Sequence, residues 1–217
     1  MQTTLIAFVI TGSPRSGTAY VARLLSNLGL YCGHEECFNP WNIKYEAECL
    51  NDNVWGDCSW MAVPFVPDLP PATKVFHLVR DPVKTINSII ATGQLDWPSD
   101  YQRFIAEHMW GDASYWPSET MSEAQRFWVR WNQLMEESGR VTRRIRVEKV
   151  RDWLPEIFRE LKPDCAMSRK QFDLAMNSVP SNYNKRPRYG RSQDAIAESD
   201  LTEMQSHGSQ LRLQLLS

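Results

Sequence analysis

The run LIAFVITG at residues 5–12, followed at once by SPRSGT, restricts the fold of this chain more than any other segment. It is apolar without polar alternation and rich in β-branched and aromatic residues, the pattern of a strand buried on both faces of a parallel sheet. From Thr18, the positions Tyr20, Val21, Leu24, Leu25 and Leu28 recur at helical spacing, and Gly29 stands where a helix C′ residue belongs. Strand, glycine turn and helix in that order open an α/β unit. The order returns at KVFHLV, residues 74–79, where Asp81-Pro82 reads as an N-cap followed by proline at N1. The helix that follows turns Val83, Ile86, Ile89 and Ile90 to one face.

The remaining elements are read with less help from pattern. A short strand is expected over Leu30–Gly33. The stretch from Asn39 to Trp60 has no clear period, and Asp57 or Ser59 is expected to cap a short helix through Met61–Val66. PDLPPAT is a rigid connection. The aromatic-rich stretch at about 92–120 is too long for a plain connection and is expected to be a helical lid or insertion. Ser122 with Gln125 resembles a capping box and opens a helix that ends near Gly139. A last strand is expected over Arg143–Val147, then a helix from Val150 or Arg151 to Leu161.

Charge and composition exclude several classes. The 217 residues carry 24 Lys and Arg against 26 Asp and Glu, a net charge of -2, which does not suit a generally basic nucleic-acid binder. At 42% hydrophobic residues the chain can bury one sizeable core, so a single domain over 1–217 is expected. No apolar run approaches the roughly 18 to 20 residues of a membrane span, so a soluble, cytoplasmic chain without a membrane partner is expected. Cys32, Cys37, Cys49 and Cys58 are separated by 5, 12 and 9 positions, which fits no zinc-ligand pattern; reduced thiols and no metal are expected.

The segment GSPRSGT at 12–18, between a buried strand and a helix, has the setting of a phosphate-binding loop. Backbone N–H groups at a helix start hold an anion without any charged side chain. Gly12 and Gly17 have the Walker A separation, but Thr18 stands where that loop has lysine, and the cation is Arg15, inside the loop. A triphosphate hydrolase or kinase, which needs that lysine and a magnesium-holding hydroxyl, is the weaker reading.

PRSGT, residues 14–18, resembles the 5′-phosphosulfate loop of sulfotransferases that use 3′-phosphoadenosine 5′-phosphosulfate (PAPS). VRDPVKTINSI resembles the 3′-phosphate motif of the same family, with Arg80 ending a strand and Ser88 on the next helix. CGHEECF, residues 32–38, resembles the segment that carries the catalytic glutamate in the tyrosylprotein-type and related bacterial members. Further likeness lies in DCSWMAVPFV, WVRWN, RVEKV and NYNKRPRYG.

The resemblance implies a three-layer, P-loop-like α/β fold with a central, mostly parallel sheet flanked by helices. It implies PAPS as donor co-substrate, no metal, and Pro14, Arg15, Ser16, Gly17, Thr18, Ala19, Arg80 and Ser88 at the donor. Lys185 and Arg186 would lie in a loop closing over the adenine and 3′-phosphate. Ala19 replaces a second hydroxyl common at that place and leaves only its amide. Anchoring on Cys32-Gly33 or Gly33-His34 makes Glu35 the base, whereas an ungapped count from Arg15 makes it Glu36. Neighbouring side chains of an extended chain face opposite sides, so one of the two should reach the acceptor. Arg15 would act on the charge that develops as the sulfuryl group leaves.

The expected reaction moves a sulfuryl group to a hydroxyl, or secondarily an amine, of a small-molecule, carbohydrate or peptide acceptor, and releases 3′,5′-ADP. The alternatives are a P-loop nucleotide or small-molecule kinase and a non-catalytic PAPS- or nucleotide-binding module. The acceptor and the oligomeric state are not readable from the sequence.

Overall fold

A computed structural model of the chain describes residues 3–43, 46–48, 55–93, 95, 100–111, 121–180 and 183. In chain order the elements are β1 (Thr3–Leu5), β2 (Phe8–Thr11), α1 (Thr18–Asn27), β3 (Tyr31–Gly33), β4 (Phe38–Asn39), β5 (Asn42–Ile43), β6 (Glu46–Glu48) and β7 (Trp55–Cys58). A 3₁₀ helix over Trp60–Asp68 follows, then β8 (Lys74–Val79), α2 (Pro82–Ala91), α3 (Asp100–Trp110), α4 (Met121–Glu137), β9 (Arg143–Arg146), α5 (Val150–Leu161) and α6 (Arg169–Ser178).

The central sheet has five strands in the order β3-β7-β2-β8-β9, all parallel. Two antiparallel pairs, β1 with β6 and β4 with β5, stand outside it. Strand β2 is the middle one: Ile10 lies opposite Cys58 on one side and Phe76 on the other. Its residues divide between two cores. Phe8 and Ile10 join Phe76 and Leu78 under α1, α5 and α6, while Val9 joins Val75 and Val79 under α2, α3, α4 and the 3₁₀ helix. Covering both faces is what makes the sequences of β2 and β8 largely apolar. The expected fold class, three layers around a parallel sheet, is the one observed.

The connections after β2 and β8 run in opposite directions. After β2 the chain turns through α1 toward the β3 edge, and after β8 it turns through α2 on the opposite face. The crevice between the carboxyl ends of β2 and β8 is therefore a topological switch point, where open α/β sheets receive ligands.

Several expectations need correction. The apolar run 5–12 is two strands, because Leu5 belongs to β1, which pairs with β6 outside the central sheet. Asp57 caps no helix; it lies within β7, and Ser59 Oγ accepts from Met61 N at the start of the 3₁₀ helix. Ser122 falls inside α4, not at its cap. Asp81 does cap α2, accepting from Lys84 N at 2.9 Å. Within the expected 92–120 insertion, α3 is the helix the structure describes, and its Phe104, Ile105 and Met109 pack into the core.

Helix α4 is pinned to the sheet by a polar cluster. His77 of β8 is fully buried, with Nδ1 2.6 Å from Glu136 Oε1 and Nε2 2.9 Å from Asn132 Oδ1. Arg144 of β9 donates to Glu136 Oε2 at 2.7 Å. Burial alone would raise the Glu136 carboxyl, but the His77 and Arg144 hydrogen bonds outweigh it and hold the group at about 2. A carboxyl with a depressed folded value stabilises fully above its ordinary value and loses that contribution as pH falls toward the folded one. Glu136→Ala is expected to lower stability at neutral pH by about 3 kcal/mol, because it leaves the buried His77 without its carboxylate. In urea denaturation the gap between parent and variant should close between pH 4.5 and 2; a gap independent of pH would show that the pair does not act through charge.

Candidate donor and acceptor site

The loop 12–17 is set by its glycines. A Cβ on Gly12 would lie 2.0 Å from the Leu78 carbonyl oxygen of β8, so the turn can pass that close only without a side chain. Gly17, the N-cap of α1, has φ 104° and supplies no side-chain cap. The first-turn amides of α1 thus lack the usual side-chain acceptor, and the helix dipole adds partial positive charge at the same place. Between the glycines, Ser16 is fully buried and its Oγ has no hydrogen-bond partner. An unsatisfied buried hydroxyl costs about 1–3 kcal/mol, a cost that an oxyanion in the loop would remove.

The structure brings Arg15, Arg80 and Ser88 together. Arg15 Nε donates to Ser88 Oγ of α2 at 3.0 Å, and Arg80 Nη1 donates to the Arg15 carbonyl at 2.9 Å. The strand end at Arg80, the helix start at Asp81 and the loop are therefore one connected unit. Glu148, just after β9, joins it by accepting from Asp81 N at 2.9 Å. Pro14 lies within the loop, and Thr18 and Ala19 open α1. Lys185 and Arg186 lie outside the described residues.

The two glutamates have different partners around a shared neighbour, His34. Glu35 follows β3 in a bend and has φ 60°. Its Oε1 is 3.6 Å from His34 Nε2, which is in turn 3.3 Å from Thr18 Oγ1, so the side chain adjoins the phosphate-loop end of α1. Glu36 accepts from Tyr31 OH at 3.4 Å and faces an open groove of about 610 Å³ between α1 and β3, lined by Ala19, Ala22, Arg23 and Tyr31 among others. Among the described residues only two that are not glycine have positive φ, Arg15 at 66° and Glu35 at 60°. Such backbone costs on the order of 1–3 kcal/mol and gathers at functional sites.

Sequence reasoning missed three members of this neighbourhood. His34 stands between Thr18 and Glu35. Asn39 donates to the Glu35 carbonyl at 3.3 Å and accepts from Trp41 N at 3.1 Å, which ties the turn to the β4–β5 hairpin. Asp57 holds the backbone of the same turn. A lone acid in the otherwise uncharged WGDC was the available signal for the last.

Fold and site together define a parallel α/β protein with two linked arginines over a helix N-terminus at its switch point. No family model and no curated protein matches the chain. Among solved structures, mouse sulfotransferase SULT7A1 complexed with PAP is similar, with 12% sequence identity and a TM-score of 0.44 over 87% of this chain and 69% of that one. No described helix is long and apolar enough to cross a membrane.

Proposed function

We infer that the chain is a PAPS-dependent sulfotransferase acting on a hydroxyl of a small-molecule, carbohydrate or peptide acceptor. The observation that carries this reading is the Arg15–Ser88 and Arg80–Arg15 linkage, which fastens an uncapped helix N-terminus to a second cationic strand end. Two anion-binding elements in one crevice suit a donor that bears phosphate at both ends. The orphan Ser16 hydroxyl fits an oxyanion of such a donor.

When bound, PAPS supplies a sulfuryl group with 3′,5′-ADP as leaving group. The S–O bond to the phosphate breaks as an S–O bond to the acceptor forms, and the acceptor proton passes to the Glu35 carboxylate. Arg15 and the loop amides stabilise the charge left on the phosphate side, with positioning contributing most of the remainder. Arg80 and Ser88 hold the 3′-phosphate; Thr18 and Ser16 hold the 5′-phosphate.

Calorimetric titration with 3′,5′-ADP, ADP and ATP-magnesium tests the reading. The parent is expected to prefer 3′,5′-ADP, and Arg15→Ala and Arg80→Ala each to weaken it about 10- to 100-fold, the range for a lost charge-assisted contact. Preference for ATP-magnesium, or indifference to the 3′-phosphate, would return GSPRSGT to the kinases.

A further inference from the structure

Asp57 is a fully buried carboxylate, 0% exposed, in the middle of β7 between Gly33 of β3 and Val9 of β2. Among the described residues no Lys, Arg or His forms an ion pair with it. A buried carboxylate without a cation is costly unless hydrogen bonds satisfy it. Here both oxygens turn to one short segment: Oδ1 accepts from Glu36 N at 3.4 Å and Oδ2 from Cys37 N at 3.3 Å. Gly33 makes room, since a Cβ there would lie 2.7 Å from Asp57 Oδ1.

The segment so held is the bend in which Glu35 has φ 60°. A non-glycine residue stays in that conformation only when its surroundings over-determine it. Asp57 grips the two residues after Glu35, and Asn39 grips its carbonyl. We propose that Asp57 is the positioning residue of the site, its carboxylate fixing the 34–37 turn so that Glu35 and His34 face the loop end of α1. This rests on the sulfotransferase reading only where turnover is the readout.

Burial pushes the Asp57 carboxyl up to about 7; the Cys37 and Glu36 amides pull it down, and the Glu36 carboxylate pushes it up. The titratable group facing it is Glu36 on the turn; Cys58, next on β7, turns to the opposite face of the sheet, where burial holds its thiol neutral. Gly33 and Val9 on the neighbouring strands bring no charge. As pH falls through about 7, the carboxyl gains a proton, one oxygen stops accepting, and the turn loosens.

The test follows the Glu36 and Cys37 amide protons of the full chain by NMR between about pH 5.5 and 8.5. Both are expected to shift together with a midpoint near 7, and Asp57→Asn should abolish that shift. In the same variant, kcat with PAPS should fall about 10- to 100-fold and lose its limb near pH 7, with affinity for 3′,5′-ADP within about twofold of the parent. Amides that do not titrate in the parent overturn the proposal, as does a variant with parental kcat and pH profile or with donor affinity falling in step. A parent that transfers nothing from PAPS defeats the sulfotransferase reading, while the two amides still decide the role of Asp57.

Discussion

Glu35→Gln is expected to lower turnover with PAPS by about 10²–10⁴-fold, the usual contribution of a positioned general base, with 3′,5′-ADP affinity left within about twofold. Glutamine keeps the size of the side chain and its hydrogen bonding but cannot take the acceptor proton. Glu36→Gln serves as the internal comparison. Its side chain interacts with Tyr31 beside the groove between α1 and β3, so turnover should stay within about threefold of the parent. Steady-state kinetics on the two variants, read beside calorimetry on both, decide between the glutamates. The reverse pattern would make Glu36 the base; parental turnover in both would leave the acceptor proton to another group, whereas a binding module would bind 3′,5′-ADP without any turnover in the parent.

The largest expected loss of stability belongs to Gly12→Ala. The added methyl would lie 2.0 Å from the Leu78 carbonyl oxygen and 3.1 Å from its carbon, both backbone atoms of the neighbouring strand. Neither can swing aside as a side chain end would, so β2 and β8 must part at the point where the loop begins. Overpacking of this kind against backbone is expected to cost about 3 kcal/mol or more, measured as a fall in the urea midpoint. Because the loop would shift with the strands, binding of 3′,5′-ADP should weaken as well. A variant with parental midpoint and affinity would show that the loop does not lie against β8.

What the sequence discloses depends on how each element is buried. KVFHLV and the Asp81-Pro82 start of α2 are legible because a strand covered on both faces is apolar throughout and a proline at N1 has few other uses. WGDC is not: four residues with a glycine and an acid give no period, and only its partners β3 and β2 make it a strand. The run 5–12 misleads for the opposite reason, since apolar sequence does not say that Leu5 pairs outside the central sheet.

At the site, the loop is readable because its chemistry lies in backbone and glycine. The hydrogen bond between Arg15 and Ser88, 73 positions apart, belongs to the topology. Resemblance to a family named both residues, but no spacing in the chain could join them. Alternation along an extended chain, which would turn Glu35 and Glu36 to opposite sides, does not apply to a bend with Glu35 at φ 60°.

That left-handed backbone at Arg15 and Glu35 sets a limit on how this protein can be improved. Glycine would relax the backbone at Glu35, with a net gain of up to about 1 kcal/mol once its greater freedom in the unfolded chain is subtracted, whereas at Arg15 it would also forfeit the hydrogen bond to Ser88. A screen for heat resistance alone would accordingly favour a substitution that erases the Glu35 carboxylate, the proposed proton acceptor. Resistance to heat and capacity for the proposed chemistry would then pull in opposite directions at this residue, and selection that rewards only the first would be expected to yield a sturdier protein with the proposed base removed.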